Sequence, residues 1–247
     1  MKLNGRSVLV TGATGGIGRA IAHDMASRGC RLTVTGRREP ELRRLAALLG
    51  PSARTLTADL ADLAEVHGLV DRAGAVDVLV ANAGVGIPED LGMLSDAQIE
   101  HAVRVNLLAP AVLARAAMDA MRKRGRGHIV FISSGAGLIA TPGNGTMYTA
   151  TKWGLRGLGL ALRQELRGSG VGVSTVFPGP VRDAGMLMTA YLPLARGAVF
   201  QSELLRAIGA RHGKSAGQVA LRWLIQQDGV IAIPRSSKPA HIVAAYD

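Results

Sequence analysis

Short strand-like runs, most of them apolar, alternate along this chain with longer stretches in which apolar residues return every three or four positions. The runs are Val8–Val10, Leu32–Thr35, Arg54–Thr57, Val76–Ala81, His128–Ile132 and Val171–Phe177. The stretches between them predict helices over Ile17–Arg28, Glu39–Leu49, Leu63–Arg72, Asp96–Lys123 and Met147–Arg167. Strands without polar alternation are buried on both faces, which predicts a parallel sheet covered by helices above and below. The fold class is therefore α/β, a doubly wound parallel sheet with right-handed crossovers. In such a sheet the carboxyl ends of the strands gather the chemistry.

Composition sharpens that picture. A chain of 247 residues with 48% hydrophobic and 19% charged positions suits one globular α/β domain. Aromatics are only 3%, so the core must be aliphatic. A lone cysteine, Cys30, cannot form an internal disulfide, which fits a reducing compartment. Met1–Arg6 lacks the long apolar stretch of a signal peptide and no segment offers about 18 uninterrupted apolar residues, so a cytoplasmic protein with no membrane partner is expected. The net charge of +11 raises the question of nucleic acid. The basic residues are scattered, however, and cluster only at Arg122–Arg126, where cations suit a helix end. No nucleic-acid partner is expected.

The chemistry begins directly after the first run. Gly12, Thr14, Gly16, Ile17 and Gly18 form a glycine-rich turn between a strand and a helix. Glycines let the backbone approach a pyrophosphate, and the free N–H groups of a helix start face its charge. After the second strand come Arg37 and Arg38, where a basic residue favours the 2′-phosphate of NADP(H) over NAD(H). Asp59 and Leu60 follow the third strand, with a carboxylate suited to an adenine amino group. Asn82, Ala83 and Gly84 follow the fourth, where glycine lets the backbone pass close to a ribose.

Tyr148 and Lys152 lie four apart at a helix start and share one face. A nearby ammonium favours the phenolate and should lower the phenol's pKa toward neutrality. Ser134 ends the fifth strand, where a hydroxyl could hold a substrate oxygen, with Ser133 as the second candidate. Asn106 sits among apolar neighbours within a predicted long helix and must find partners. A bound water linking it to Lys152 would be one.

Taken together, residues 1 to about 185 resemble the short-chain dehydrogenase/reductases. The resemblance rests on Thr11–Gly18, Asp59, Asn82-Ala83-Gly84, Asn106, Ser134, Tyr148, Lys152 and Pro178-Gly179. It implies a Rossmann-type fold, NADP(H), and an Asn106-Ser134-Tyr148-Lys152 tetrad. Tyr148 would be the general acid, Ser134 would steady the substrate oxygen, and Lys152 would bind the nicotinamide ribose and tune Tyr148. Asn106 would support a relay water, and Pro178, Gly179 and Val181 would border the nicotinamide. The sequence departs from the family pattern at Ala81, at Asp183 and in a Ser134-to-Tyr148 interval one residue longer than usual.

The ending departs most. Residues from about 203 to 243 resemble the C-terminal part of aldo-keto reductases, with Arg235 and His241 replacing that family's usual lysine and arginine. Length leaves no room for that family's barrel. Ser215 and Gln218 have capping-box spacing, Val219, Trp223 and Leu224 share a helix face, and Gly229 can close the helix. Val230–Ile233 is then expected beside Val171–Phe177 as a seventh parallel strand. The expected organisation is a catalytic domain over 1–190, followed by a lid and a helix-strand segment over 191–247 packed on it. Met186, Met188, Tyr191 and Leu192 suggest an apolar lid over a hydrophobic substrate.

The expected function is an NADP(H)-dependent oxidoreductase acting on a small-molecule carbonyl or secondary alcohol. The alternative is a cofactor-binding scaffold or redox-sensing regulator with little turnover. The resemblance also implies a homodimer or homotetramer formed through the two long helices.

Overall fold

The computed structural model describes residues 2–140, 145–179, 201–226 and 230–231. Its strands are β1 (Ser7–Thr11), β2 (Arg31–Gly36), β3 (Ala53–Thr57), β4 (Val78–Ala81), β5 (Gly127–Ile132), β6 (Val171–Val176) and β7 (Val230–Ile231). They form one 7-stranded sheet in the order β3-β2-β1-β4-β5-β6-β7. Every pairing is parallel.

β1, β2 and β4 are buried on both faces, which explains their unbroken apolar runs, whereas the edge strand β3 is not. Leu9, Leu79, Ile129 and Val173 stand in register across four strands. They pack with Leu113 and Met121 of α6 (Ala109–Lys123) and with Leu155 and Leu162 of α7 (Thr146–Glu165). On the opposite face Val8, Val10, Val34 and Val80 meet Ala22 of α1 (Gly16–Ser27) and Leu42 and Leu45 of α2 (Glu39–Leu49).

Two helices expected to be continuous are broken. The first becomes α3 (Leu63–His67) and α4 (Leu69–Ala73), joined at Gly68, with the Asp62 side chain capping α3. The stretch Asp96–Lys123 becomes α5 (Asp96–Val103), a π turn over Arg104–Leu108, and α6. Proline explains the second break. Pro110 has no N–H to give the Asn106 carbonyl four residues earlier, so the α ladder cannot continue there.

The tail supplies α8 (Glu203–His212), capped by Ser202, and α9 (Ala216–Gln226). At the start of α9 the Ser215 N–H donates to Gln218 and the Gln218 N–H to Ser215 Oγ, the capping box read from the sequence. β7 pairs with β6 through Thr175–Val230 and Val176–Ile231, so the tail does add a seventh parallel strand. Ile233, Gly229, Val181, Asp183, the lid residues Met186 to Leu192, Arg235 and His241 lie outside the described residues. Among the described residues no helix is long and apolar enough to cross a membrane.

Candidate active site

β1 and β4 are neighbours in space while their connections leave toward opposite edges of the sheet. A crevice must open above their carboxyl ends. A cleft of about 600 Å³ lies there. Its first wall is the glycine-rich turn, with Gly12, Thr14, Gly16, Ile17 and Gly18 all in the lining. Gly12 holds φ at +61°, and a Cβ on it would stand 2.7 Å from the Ala83 Cα. A Cβ on Gly18 would fall on the Gly12 carbonyl. These glycines are required because two loops are pressed together.

Thr11 and Asn82 hold that contact. Thr11 Oγ1 accepts the N–H groups of Asn82 and Ala83, each at 3.0 Å. Asn82 Nδ2 donates to the carbonyls of Thr11 at 2.9 Å and Gly12 at 3.1 Å. The Asn82 amide nitrogen is therefore spent on the loop itself, while Asn82, Ala83 and Gly84 still line the cleft. The sequence reading counted Thr11 in the glycine-rich stretch but gave its hydroxyl no role, because that role depends on a loop about seventy residues away. Helix α1 has Gly15 at its N-cap, no side-chain cap and no acidic residue in its first turn. Its leading N–H groups are left for an anion at the cleft.

The far end of the cleft carries the basic pair. Arg38 bonds Glu41 at 2.9 Å, whereas Arg37 is exposed and makes no ion pair among the described residues. Asp59 Oδ1 accepts the Ala61 N–H at 3.0 Å, and buried Leu60 completes that edge. Close-packed glycines and an uncapped helix start together fit the phosphates of a dinucleotide.

The candidate catalytic groups converge beside this cleft. Tyr148 is 6% exposed and Lys152 3% exposed, with the amine 5.6 Å from the phenol ring centre. The Ser134 hydroxyl hydrogen-bonds the phenol, whereas Ser133 Oγ donates to the Lys152 carbonyl at 3.1 Å. Geometry thus sets Ser134 beside Tyr148 and turns Ser133 away. Gly135, the first residue of the turn Gly135–Gly137, donates its N–H to the Pro178 carbonyl at 3.0 Å. Gly179, next along, lines the cleft.

Electrostatics differs from the expectation. Burial, the larger influence, pushes the Tyr148 phenol above its ordinary 10.0, and the Ser134 bond draws it only partly back. Burial also lowers the Lys152 amine from 10.5 to about 8. Lys152 Nζ donates to the Ile132 carbonyl at 3.1 Å. Desolvation of both groups outweighs their mutual tuning.

Asn106 is 1% exposed and finds its partners within the protein. Its Oδ1 accepts the Val85 N–H at 2.8 Å, and its Nδ2 donates to the Val85 carbonyl at 3.0 Å and to Thr151 Oγ1 at 3.2 Å. Both amide hydrogens are used, so the side chain donates nothing to a relay water. Val85 and Val105 also line the cleft and were not singled out in the sequence, because valine carries no chemical signature.

A doubly wound sheet with a glycine-lined crevice and a buried tyrosine, serine and lysine beside it defines a dinucleotide-dependent oxidoreductase. The chain belongs to the short chain dehydrogenase family, whose profile matches residues 6–192. Nodulation protein G of Rhizobium sp. (strain N33) is 37% identical over 187 residues, covering 74% of this chain and 76% of that protein. The 3-oxoacyl-(acyl-carrier-protein) reductase FabG of Escherichia coli (strain K12) is 34% identical over 185 residues, covering 72% and 75%. A metagenomic short-chain oxidoreductase in complex with NADP superposes with a TM-score of 0.71 at 31% identity, covering 96% of this chain and 100% of that one. A 3-oxoacyl-(acyl-carrier protein) reductase from Brucella melitensis with bound NAD gives a TM-score of 0.68 at 29% identity, covering 73% of each. The family match ends before the tail.

Proposed function

We propose that the protein is an NADP(H)-dependent oxidoreductase that interconverts a small-molecule carbonyl and a secondary alcohol, with Tyr148 as general acid and base. The observation that carries this reading is a buried phenol, bonded by Ser134 and flanked by a buried amine, beside a glycine-lined anion cleft. The nicotinamide, when bound, supplies or takes the hydride. Tyr148 donates its proton to the carbonyl oxygen in reduction and takes it back in oxidation. Ser134 steadies that oxygen with its hydroxyl. Lys152 keeps a positive charge beside the phenol at neutral pH and favours the phenolate as the proton leaves. Asn106 fixes the Val85 segment of the cleft wall.

Arg37 supports NADP(H) over NAD(H), since its charge is uncommitted and it lies where a 2′-phosphate would sit. Pro178, Gly179 and Val181 are assigned to the nicotinamide end. The substrate is read as hydrophobic, because Ile87, Ala102 and Ala136 pack with the Tyr148 ring. Residues 1–190 are read as the catalytic unit, with 191–247 a lid and tail of aldo-keto-reductase-like sequence packed on it. The cytoplasm is the proposed compartment.

The decisive test is Tyr148→Phe, assayed with NADPH against a panel of aliphatic and aromatic carbonyls. The variant should bind NADPH as the wild type does and lose turnover by about a hundredfold or more. Equal turnover in the two proteins would remove Tyr148 from the mechanism.

A further inference from the structure

Tyr148 is held at both ends. Its phenol meets Ser134, and its main-chain carbonyl accepts a bond from Thr151 Oγ1 at 2.8 Å. A threonine inside a helix commonly bonds backward to its own preceding turn, and nothing more follows from that alone. Thr151 does more. Its oxygen also accepts Asn106 Nδ2 at 3.2 Å from an element 45 residues away in the chain. Asn106 in turn grips Val85 through both its N–H and its carbonyl. An unbroken run of hydrogen bonds therefore leads from the Tyr148 backbone to the cleft wall.

The direction of these bonds is fixed by chemistry. Thr151 has a single hydroxyl hydrogen, and it is spent on the Tyr148 carbonyl. Its lone pair must then receive the Asn106 amide. Both side chains are sealed from water, at 2% and 1% exposure, so no solvent molecule can substitute for a lost partner. The π turn that carries Asn106 also carries Val105 into the cleft lining. Thr151 is thus the described hydrogen-bonded joint between that turn and the catalytic turn of α7.

We propose that Thr151 is a positioning residue: its hydroxyl couples Tyr148 to the Asn106 clamp and so sets where the phenol stands against the substrate carbonyl. This builds on the reading of Tyr148 as the proton donor. Valine keeps the shape of threonine and can neither donate nor accept, while serine retains both functions. A small displacement of a proton donor costs rate far more than it costs binding.

The test compares Thr151→Val and Thr151→Ser with the wild type, using two readouts. The first is turnover with NADPH and a carbonyl substrate. Thr151→Val should lose about tenfold or more in kcat with NADPH affinity changed less than about twofold, and Thr151→Ser should stay within about threefold of wild type. The second is the ionisation midpoint of Tyr148 itself, followed by the ring resonance of labelled tyrosine, with Tyr148→Phe to assign the signal among the three tyrosines. A phenol displaced from Ser134 loses the bond that draws its midpoint down, so the midpoint should rise in Thr151→Val and return in Thr151→Ser. If Thr151→Val does not fold, Thr151→Ala is held to the same criteria. A folded variant with wild-type kcat and an unmoved midpoint would overturn the proposal, as would a serine variant as impaired as the valine one. Absence of turnover in the wild type would instead refute the proposed function, and the midpoint would still decide the role of Thr151.

Discussion

Arg37 and Lys152 are the two cations whose surroundings make measurable demands. Among the described residues Arg37 makes no ion pair at the cleft edge, beside an Arg38 engaged by Glu41. Arg37→Ala should raise the KM for NADPH by about tenfold or more and leave that for NADH within about twofold, because the lost contact is charge-assisted. Equal changes for both nucleotides would dissociate Arg37 from cofactor choice. Lys152 affects stability. Its folded value of about 8 lies below 10.5, so the unfolded chain binds the proton more tightly. Below about pH 8 the buried charge costs the full difference, about 3 kcal/mol, and the cost is relieved as pH rises toward 10.5. Wild type should therefore gain stability relative to Lys152→Met across that window. Urea unfolding of both proteins at several pH values measures it, and a pH-independent difference would contradict the assigned burial. Tyr148, Lys152, Ser134 and Asn106 were legible in the sequence as candidates, because few residue types could perform the chemistry proposed for them, and the fold brings them near one another. Thr151 was not, since a helical threonine looks the same whether or not an asparagine reaches it from afar.

Elements were legible where local chemistry sets them. Helix α2 runs Glu39–Leu49, as its periodicity predicts, and the Ser215–Gln218 box starts α9. The break in Asp96–Lys123 had a local sign in Pro110, yet periodicity alone runs through it. A π turn adds one residue to the hydrogen-bonded ring, and Asn106, which bonds Val85, lies within it. The glycines at 12 and 18 follow another logic. Gly12 is needed because the Asn82–Ala83 loop, about seventy residues away in the sequence, presses on it, and Gly18 because it packs on the Gly12 carbonyl and on Asn82. Only pairing of β1 with β4 brings the two together.

The molecule as a whole leaves part of α7 uncovered. Trp153 and Leu160 are 46% and 45% exposed on it, and Leu108 borders α6. We propose that this face pairs two copies of the chain, as expected from the long helices, since apolar side chains at such exposure gain most by leaving water. Sedimentation should give a mass of at least twice 25.7 kDa, and Trp153→Glu combined with Leu160→Glu should return the protein toward the monomer. A monomeric wild type would refute the pairing. The many arginines at the surface argue little either way. Their exposed pairs, such as Arg28–Asp24 and Arg43–Glu39, are screened by solvent and contribute little.

By itself the sequence determined the sheet class and the glycine-rich turn and pointed to candidate reactive groups, because periodicity, glycine content and side-chain chemistry are local properties. The tertiary structure decided which serine faces the phenol, where Asn106 spends its amide, and which way burial moves Tyr148 and Lys152. Those outcomes depend on desolvation and on partners brought from distant segments, and neither quantity exists until the chain has folded.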